Sequence, residues 1–366
     1  MPPIQSAKLQ VGFDPGASLS KVVYSINGTP PKILMMEPDV LTLPTCSVNR
    51  LLLNARPEDQ AWVKLSRDAE TVQVCGFLAR EYKAVERIEL LKYEYAFYKF
   101  LAAVGAIAVR EAVDRVAVEV ALLLPYGEIH SREWLEQKIA KSLKKYYFQD
   151  TLIRGQLTSY YCGSEGTGML CHLIRKYGMD WIRQNRITVL IVGYRNISCL
   201  TLNRGVIEGQ HSSTTDLGFV KLIDKVIALT PGQNRYALVE AVYSIGADVR
   251  TNHRELQFLI RSTQPENIHA EAKLLTEAIR IARHEYWQLV QDFLNTIVPD
   301  DLNHLIISGG TGVYLKTELD KLFEWAAPEW LESRVGELSK FDSCLQSRFA
   351  DVMTLFESQF EVQKVA

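Results

Sequence analysis

The sequence predicts an α/β protein built from two duplicated domains, each with a helix-flanked sheet. The chain has 366 residues, which exceeds the size at which one hydrophobic core keeps growing, so two cores are expected. A strand hairpin opens the chain at residues 9–28, and a second hairpin of the same kind follows at 188–205. Because each hairpin stands at the head of a half of similar size, we interpret the halves as a duplication.

Composition and charge narrow the class of protein. The chain is 47% hydrophobic and 23% charged with a net charge of −2, which is typical of a soluble globular protein and gives no basic excess for direct nucleic-acid binding. Its six cysteines show no paired CxxC spacing, which favours reduced thiols over a zinc site or a disulfide framework. Without a signal segment or a long apolar run, a cytoplasmic protein that does not enter a membrane is expected.

The first hairpin has the features of a phosphate loop. An apolar strand from Val11 enters an acid and small residues, and the return strand begins with a lysine. The acid can hold a hydrated divalent cation, the glycine lets the backbone approach a phosphate, and the lysine supplies positive charge. An ordinary surface turn is the alternative interpretation. The candidate phosphate-binding residues are Asp14, Gly16, Ala17, Ser18 and Lys21.

The remainder of the first half alternates between strands and helices. The sequence predicts a third strand at 32–36, a small inserted subdomain at about 38–82, a helix from Lys83 to about Val113, a strand at 116–124, a helix at 131–145 and a strand at 151–160. A glycine-rich turn, Cys162–Gly168, then leads into a helix. This places Glu165 near a helix N-terminus, beside any phosphate bound there, although a charged helix start is also common.

The second half repeats the pattern. The strand 188–192 runs into a polar tip and returns at 197–202, and helices are predicted at 216–229, at 235–245 and from about 271 to 297. Near the end, the strand 305–307 leads into a glycine-rich segment that lets the backbone lie against a nucleoside. The candidate ligand-binding residues of this half are Gly193, Tyr194, Arg195, Asn196, Ser308, Gly309, Gly310, Thr311 and Gly312.

The ordered set of motifs resembles the superfamily of actin, the sugar kinases and the seventy-kilodalton heat-shock ATPases, and the resemblance covers nearly the whole chain. Asp14-x-Gly16 with Lys21 resembles its first phosphate motif, 190–198 its second, and 308–312 its adenosine motif. Glu165 matches the residue that positions water. Two further segments, Leu124-Pro125 and 74–79, resemble the bacterial ParM/StbA type of plasmid-segregation protein.

The resemblance implies two actin-like, ribonuclease-H-like domains with a nucleotide cleft between them. Domain I is expected to span 1–186, with the C-terminal 336–366 packing back on it, and domain II to span 187–335. The implied ligands are ATP or GTP with Mg²⁺, with Asp14 at the metal and Asp14 and Glu165 as catalytic residues. The implied function is assembly into filaments that segregate plasmid DNA through a DNA-binding adaptor, without direct contact to nucleic acid.

One position departs from the family pattern. The second phosphate hairpin normally begins with an aspartate, and here that position is Ile191, which can neither hold a metal-bound water nor accept a proton. Hydrolysis is therefore expected to be slow. Arg195 either pairs with a phosphate or forms a salt bridge within its own turn. A non-hydrolysing nucleotide-binding scaffold remains an alternative, and a small-molecule kinase is less favoured because no acid-rich loop marks an acceptor site.

Overall fold

The computed structural model describes residues 6–48, 55–82, 91–333 and 336–360. The chain forms two compact units, 1–178 with 332–366 and 179–331. No helix in the described ranges is long and apolar enough to cross a membrane.

The elements follow one another along the chain in three groups. The first group is β1 (Ala7–Pro15), β2 (Ser20–Ile26), β3 (Lys32–Met36), β4 (Val40–Pro44), β5 (Trp62–Lys64), β6 (Thr71–Cys75), α1 (Phe77–Glu81), α2 (Lys92–Arg110), β7 (Arg115–Leu124), α3 (Arg132–Leu143), β8 (Tyr146–Phe148), β9 (Thr151–Ser164) and α4 (Thr167–Tyr177). The second is α5 (Met179–Gln184), β10 (Arg186–Val192), β11 (Ile197–Asn203), β12 (Val206–Ile207), β13 (Ser213–Thr215), α6 (Phe219–Leu229), α7 (Arg235–Ile245), α8 (Arg254–Gln257), α9 (Pro265–Ile297), β14 (His304–Ser308), α10 (Gly310–Tyr314), α11 (Lys316–Leu322) and β15 (Glu329–Trp330). The last is α12 (Ser343–Gln359).

The sheet of the first unit is organised around β1 and β7. Its strand order is β3-β2-β1-β7-β9-β8-β5-β6-β4. The strands β1, β2 and β3 form an antiparallel meander, and β1, β7 and β9 run parallel. The segment predicted as an inserted subdomain supplies β4, β5 and β6, which join the sheet through β8. These strands form a small apolar cluster of their own around Trp62 and Val74.

Strand β7 is covered on both faces, which explains its nearly continuous apolar sequence. Leu122 and Leu124 pack in the main core of the unit, which also includes most residues of α2 from 96 to 108. Ala121 and Leu123 point the other way, into a cluster formed largely by α12. Successive side chains of a strand alternate between faces, so both layers need apolar residues from this one strand.

The sheet of the second unit repeats the central pattern of the first. Its order is β12-β11-β10-β14-β15, with β13 paired to β11. The pairs β10–β11 and β11–β12 are antiparallel, whereas β10, β14 and β15 run parallel. Helices α6 and α9 contribute to the core against this sheet. An antiparallel meander followed by two parallel strands occurs in both units, and the predicted duplicated α/β architecture is confirmed.

Several element boundaries differ from those predicted. Helix α9 begins at Pro265, about two turns before the predicted start, because proline is favoured at the first helical position and the polar first turns remain exposed. Strand β9 continues to Ser164, so Cys162 and Gly163 lie in the strand rather than in the turn. The described helix α2 begins at Lys92, and residues 83–90 of the predicted helix lie outside the described residues.

Helix α12 is joined to α4 through a buried carboxylate. The Asp351 side chain accepts hydrogen bonds from the backbone N–H groups of Gly166 at 2.7 Å and Met169 at 3.2 Å. Burial raises the pKa of Asp351 to about 7, and the nearby carboxylates of Asp14 and Glu165 act in the same direction. The two helices are in close contact, because a Cβ on Gly168 would lie 1.9 Å from the Asp351 carbonyl oxygen.

The raised pKa of Asp351 predicts a specific pH dependence of stability. The folded chain keeps this proton up to about pH 7, whereas the unfolded chain releases it near the ordinary value of 3.8, so the group lowers the free energy of unfolding as pH rises through that window. In Asp351→Asn the free energy of unfolding should fall less steeply with pH, by up to about 1.4 kcal/mol per pH unit. Denaturant titrations of both proteins at several pH values between 4 and 7 measure the difference.

The matched control for this prediction is Asp342→Asn at the N-cap of the same helix. Asp342 is exposed, and its carboxylate accepts from the N–H of Leu345 at 2.8 Å, a role that asparagine fills equally well. The control should keep the wild-type slope. Parallel stability curves for the wild type and Asp351→Asn would show that Asp351 does not hold the proton.

Candidate functional site

The first hairpin is built around an ion pair between its two strands. Asp14 and Lys21 are cross-strand partners in β1 and β2, and the Lys21 ammonium contacts one carboxylate oxygen, Oδ2 of Asp14. Between them the chain makes a tight tip, where a Cβ on Gly16 would lie 2.4 Å from the carbonyl oxygen of Leu19. The tip therefore needs glycine at this position for steric reasons, and it presents mostly backbone.

Two helices fix this tip from outside the hairpin. The Arg348 guanidinium of α12 donates to the Ser18 hydroxyl at 2.9 Å, and the Lys99 ammonium of α2 donates to the Gly16 carbonyl at 3.4 Å. The Ser20 hydroxyl is buried and has no hydrogen-bond partner among the described residues. The tip thus combines positive charge with an unused hydroxyl donor, and both suit an anionic ligand.

A buried lysine joins the acid of this hairpin to Glu165. The Lys92 ammonium lies 2.6 Å from Oδ1 of Asp14 and 2.7 Å from Oε1 of Glu165. All three side chains are at least nine-tenths buried. Burying charges is costly unless they are paired, so this arrangement is stable only because each charge has an opposite partner.

The pKa shifts in this cluster follow from the pairing. Burial alone would raise the pKa of Asp14, but the ammonium groups of Lys21 and Lys92 outweigh it and hold that pKa well below its usual range. Burial alone would lower the pKa of Lys92, and the two carboxylates raise it above its usual range instead. Burial lowers the pKa of Lys99 to about 8, and the neighbouring charge of Lys92 adds to this effect.

Glu165 is positioned by its backbone at the end of the parallel strands. Its N–H donates to the Leu124 carbonyl at 2.7 Å, so it sits at the carboxyl end of β7. The next residue, Gly166, has a φ of 93° and caps α4. That left-handed backbone turns the chain from β9 into the helix, while Asp351 holds the Gly166 N–H from the other side. These hydrogen bonds hold the backbone at Glu165 in the position from which its side chain contacts Lys92.

The second hairpin has a tip that is held by helix α6. The Gly193 N–H donates to the Asn196 carbonyl at 2.9 Å and closes the turn. The carbonyls of Gly193 and Tyr194 accept from the first N–H groups of α6, at 3.2 and 2.9 Å. At the entry to that helix, a Cβ on Gly218 would lie 2.2 Å from the Tyr194 carbonyl oxygen, so only glycine allows this close approach.

The glycine-rich segment Ser308–Gly312 lies directly against the second hairpin. Gly309 has a φ of 105°, and a Cβ there would lie 2.3 Å from the Val192 carbonyl oxygen. The Thr311 hydroxyl donates to the Gly193 carbonyl at 2.8 Å, and the Tyr243 hydroxyl donates to the Gly310 carbonyl at 2.9 Å. The two motifs predicted for this half therefore pack directly against each other within the second unit.

Ile191 is the position at which the resemblance predicts an aspartate. On β10 it pairs with Ser198 of β11 and with Ser308 of β14. The side chain is partly exposed. An acid is therefore absent from the row of side chains formed by these three residues. Arg195 is also partly exposed, and its carbonyl accepts from the Gly218 N–H at 3.0 Å.

Within the first unit the structure brings together Asp14, Lys21 and Glu165, and within the second unit it joins 193–196 to 308–312. The sequence reasoning missed four residues of the first-unit cluster. These are Lys92, Lys99, Arg348 and Asp351. Lys92 carried no usable signal in the sequence, because the predicted helix begins at Lys83 and places Lys92 in its interior.

The residues at Asp14 do not fit a directly bound divalent cation as they are arranged. Both carboxylate oxygens of Asp14 and one oxygen of Glu165 are already engaged by ammonium groups. Magnesium prefers a set of oxygen ligands. Among the described residues there is no group of three or more acidic, histidine or cysteine side chains that could hold a metal ion.

Comparisons of the sequence with known proteins find no match among family models and no significant match among curated proteins. Solved structures do match. The archaeal actin homolog Ta0583 superposes with a TM-score of 0.63 at 14% identity, over 97% of this chain and 100% of that one. A non-polymerisable quadruple mutant of pCBH ParM gives 0.62 at 15% identity, over 98% and 100%. Bacillus thuringiensis ParM with ATP gives 0.58 at 12% identity, over 97% and 99%.

These superpositions extend over nearly the full length of both chains, while the sequence identities are low. They establish the fold and leave the activity to be argued from this chain's own residues. The expected resemblance is confirmed at the level of architecture: the chain has the actin-like fold of ParM-type proteins and archaeal actin homologs.

Proposed function

We propose that this chain is an actin-like protein that binds ATP and assembles into filaments which segregate plasmid DNA. The observation that carries the proposal is the buried ionic cluster of Asp14, Lys21, Lys92 and Glu165 in the first unit. Buried titratable groups that perturb one another concentrate at functional sites. The actin-like fold provides the context, since one of its solved members is a ParM with ATP.

The phosphates of the nucleotide bind at the first hairpin in this proposal. Four basic side chains lie at this hairpin. Lys21 and Lys92 contact the Asp14 carboxylate, and Lys99 and Arg348 contact the tip. The tip also offers the unpartnered hydroxyl of Ser20 and a steric requirement for glycine at position 16. Clustered cations with backbone close at hand are the arrangement that phosphate groups require.

The nucleoside binds along Ser308–Gly312, and the second hairpin, 193–196, contributes further contacts to the nucleotide. A Cβ at Gly309 would collide with the Val192 carbonyl oxygen, so this position of the segment cannot carry a side chain. Backbone without side chains permits the close contact that a base or a ribose needs. Both ATP and GTP meet these requirements, and we favour ATP because it is the nucleotide of the ParM neighbour.

Filament formation and plasmid segregation are the finer part of the proposal. They rest on the shared fold and on the existence of a mutant of pCBH ParM described as non-polymerisable. The net charge of −2 gives this chain no general affinity for DNA, so a separate DNA-binding adaptor would connect the filament to its cargo in the cytoplasm.

A second function has one specific observation in its favour. With Ile191 between Ser198 and Ser308, the second unit lacks an acid at the position where the family pattern places one. Glu165 then remains the candidate for orienting or activating water, with Asp14 as its predicted partner, and Glu165 is paired to an ammonium. A scaffold that holds nucleotide and hydrolyses it poorly is compatible with this arrangement.

The proposal predicts that assembly requires bound nucleotide. Wild-type protein should sediment and scatter light with ATP and remain in solution without nucleotide. Gly310→Val should lower ATP affinity by more than about tenfold in titration calorimetry, because a branched side chain meets the nucleoside where backbone must approach it.

Gly209→Val is the matched control, since a side chain at Gly209 meets nothing within 4 Å in the same unit. It should bind ATP and assemble as the wild type does. A folded Gly310→Val protein with wild-type affinity would refute the nucleoside site. A wild-type chain that neither binds ATP or GTP nor assembles would refute the proposed function.

Restoring the missing acid should raise the rate of hydrolysis. General-base assistance is typically worth about 10²- to 10⁴-fold, so Ile191→Asp should increase steady-state phosphate release by at least about tenfold. Ser198 and Ser308 are the cross-strand neighbours of the new side chain. Ile191→Asn controls for polarity without supplying a base. Equal rates for the two variants would show that the missing acid does not limit turnover.

A further inference from the structure

The position of Lys92 is unusual for a lysine. It is the first residue of α2, where the helix dipole disfavours positive charge. Its side chain is only 7% exposed, although lysine is among the residues least often buried. The next N–H of the helix, that of Tyr93, is held by the Glu128 carboxylate at 3.0 Å, which fixes the start of the helix. The ammonium is therefore directed to a fixed place.

That place lies between an acid near the end of β1 and an acid in the turn after β9. The ammonium contacts Asp14 at 2.6 Å and Glu165 at 2.7 Å, and β7 is the one strand between β1 and β9 in the sheet. A cation between two carboxylates at the carboxyl edge of a sheet occupies the place in which a divalent metal would be expected. Lys21 engages the remaining oxygen of Asp14, so both oxygens of this carboxylate already face a positive charge that a metal would have to displace or oppose.

We propose that the Lys92 ammonium is a built-in cation that replaces the divalent metal, so that the chain binds the triphosphate of ATP without Mg²⁺. This inference rests on the proposed function. An ammonium has three N–H donors, and Asp14 and Glu165 use two of them. The third can donate to a phosphate oxygen. Lys21, Lys99 and Arg348 supply the further positive charge that the metal would otherwise bring.

The first experiment measures ATP binding by the wild-type chain in excess EDTA and in excess Mg²⁺. The two dissociation constants should agree within about threefold. Binding that is more than about tenfold tighter with Mg²⁺ would overturn the inference while leaving the proposed function standing. No binding in either medium would overturn the proposed function and the role of Lys92 with it.

The second experiment tests the cation without nucleotide. Lys92→Met removes the ammonium at similar volume and leaves Asp14 and Glu165 facing each other without a shared counter-ion. The variant should bind Mn²⁺, seen by electron paramagnetic resonance, and its melting temperature should rise when Mg²⁺ is added. Neither response is expected of the wild type. A wild type that binds Mn²⁺ at this place, or a folded variant that does not, would overturn the inference.

The matched control is Lys99→Met. It removes a buried ammonium from the same helix, but the Lys99 contact is to the Gly16 carbonyl rather than to an acid. Its ATP affinity can fall, yet the ratio of affinities in EDTA and Mg²⁺ should remain that of the wild type. In Lys92→Met, ATP affinity in Mg²⁺ should exceed that in EDTA by at least about tenfold more than it does in the wild type.

Discussion

The pairing of buried charge at the first hairpin is the constraint on which the first unit depends. Asp14, Lys92 and Glu165 come from a strand, a helix and a strand-to-helix turn, and each would be costly to bury alone. Removing one partner leaves another charge uncompensated, so the three elements must keep their mutual positions. The packing of β7 between two apolar layers supplies the rigidity for this, because it fixes the strand ends from which the charges project.

In the second unit the candidate site segments are held in place by backbone contacts rather than by paired charges. Its hairpin and glycine-rich segment are held by backbone contacts, among them the Thr311 hydroxyl on the Gly193 carbonyl and the N–H groups of α6 on the tip. Glycine is required at Gly218 and Gly309 because backbone atoms approach too closely for any side chain. One unit is thus specified by paired charges and the other by close backbone packing.

Much of the fold was predictable because its signals are local. The hairpins at β1–β2 and β10–β11 combine apolar runs with turn residues, and α7 was predicted at its observed bounds because its apolar residues recur with a helical period. The ionic cluster was not predictable in full. Lys92 lies 78 residues from Asp14 and 73 from Glu165, and no sequence pattern links residues at such separations. Asp351 was missed for the same reason, since its partners on α4 are more than 180 residues away.

The central claim is that a protein cation, rather than a metal, organises the phosphate site. The most direct measurement is the crystal structure of the wild-type chain grown with ATP and Mn²⁺, with anomalous data collected to locate manganese. The account predicts triphosphate at the hairpin tip, the Lys92 ammonium still between Asp14 and Glu165, and no manganese peak at Asp14. A manganese peak within bonding distance of Asp14, with Lys92 displaced from both acids, would contradict it.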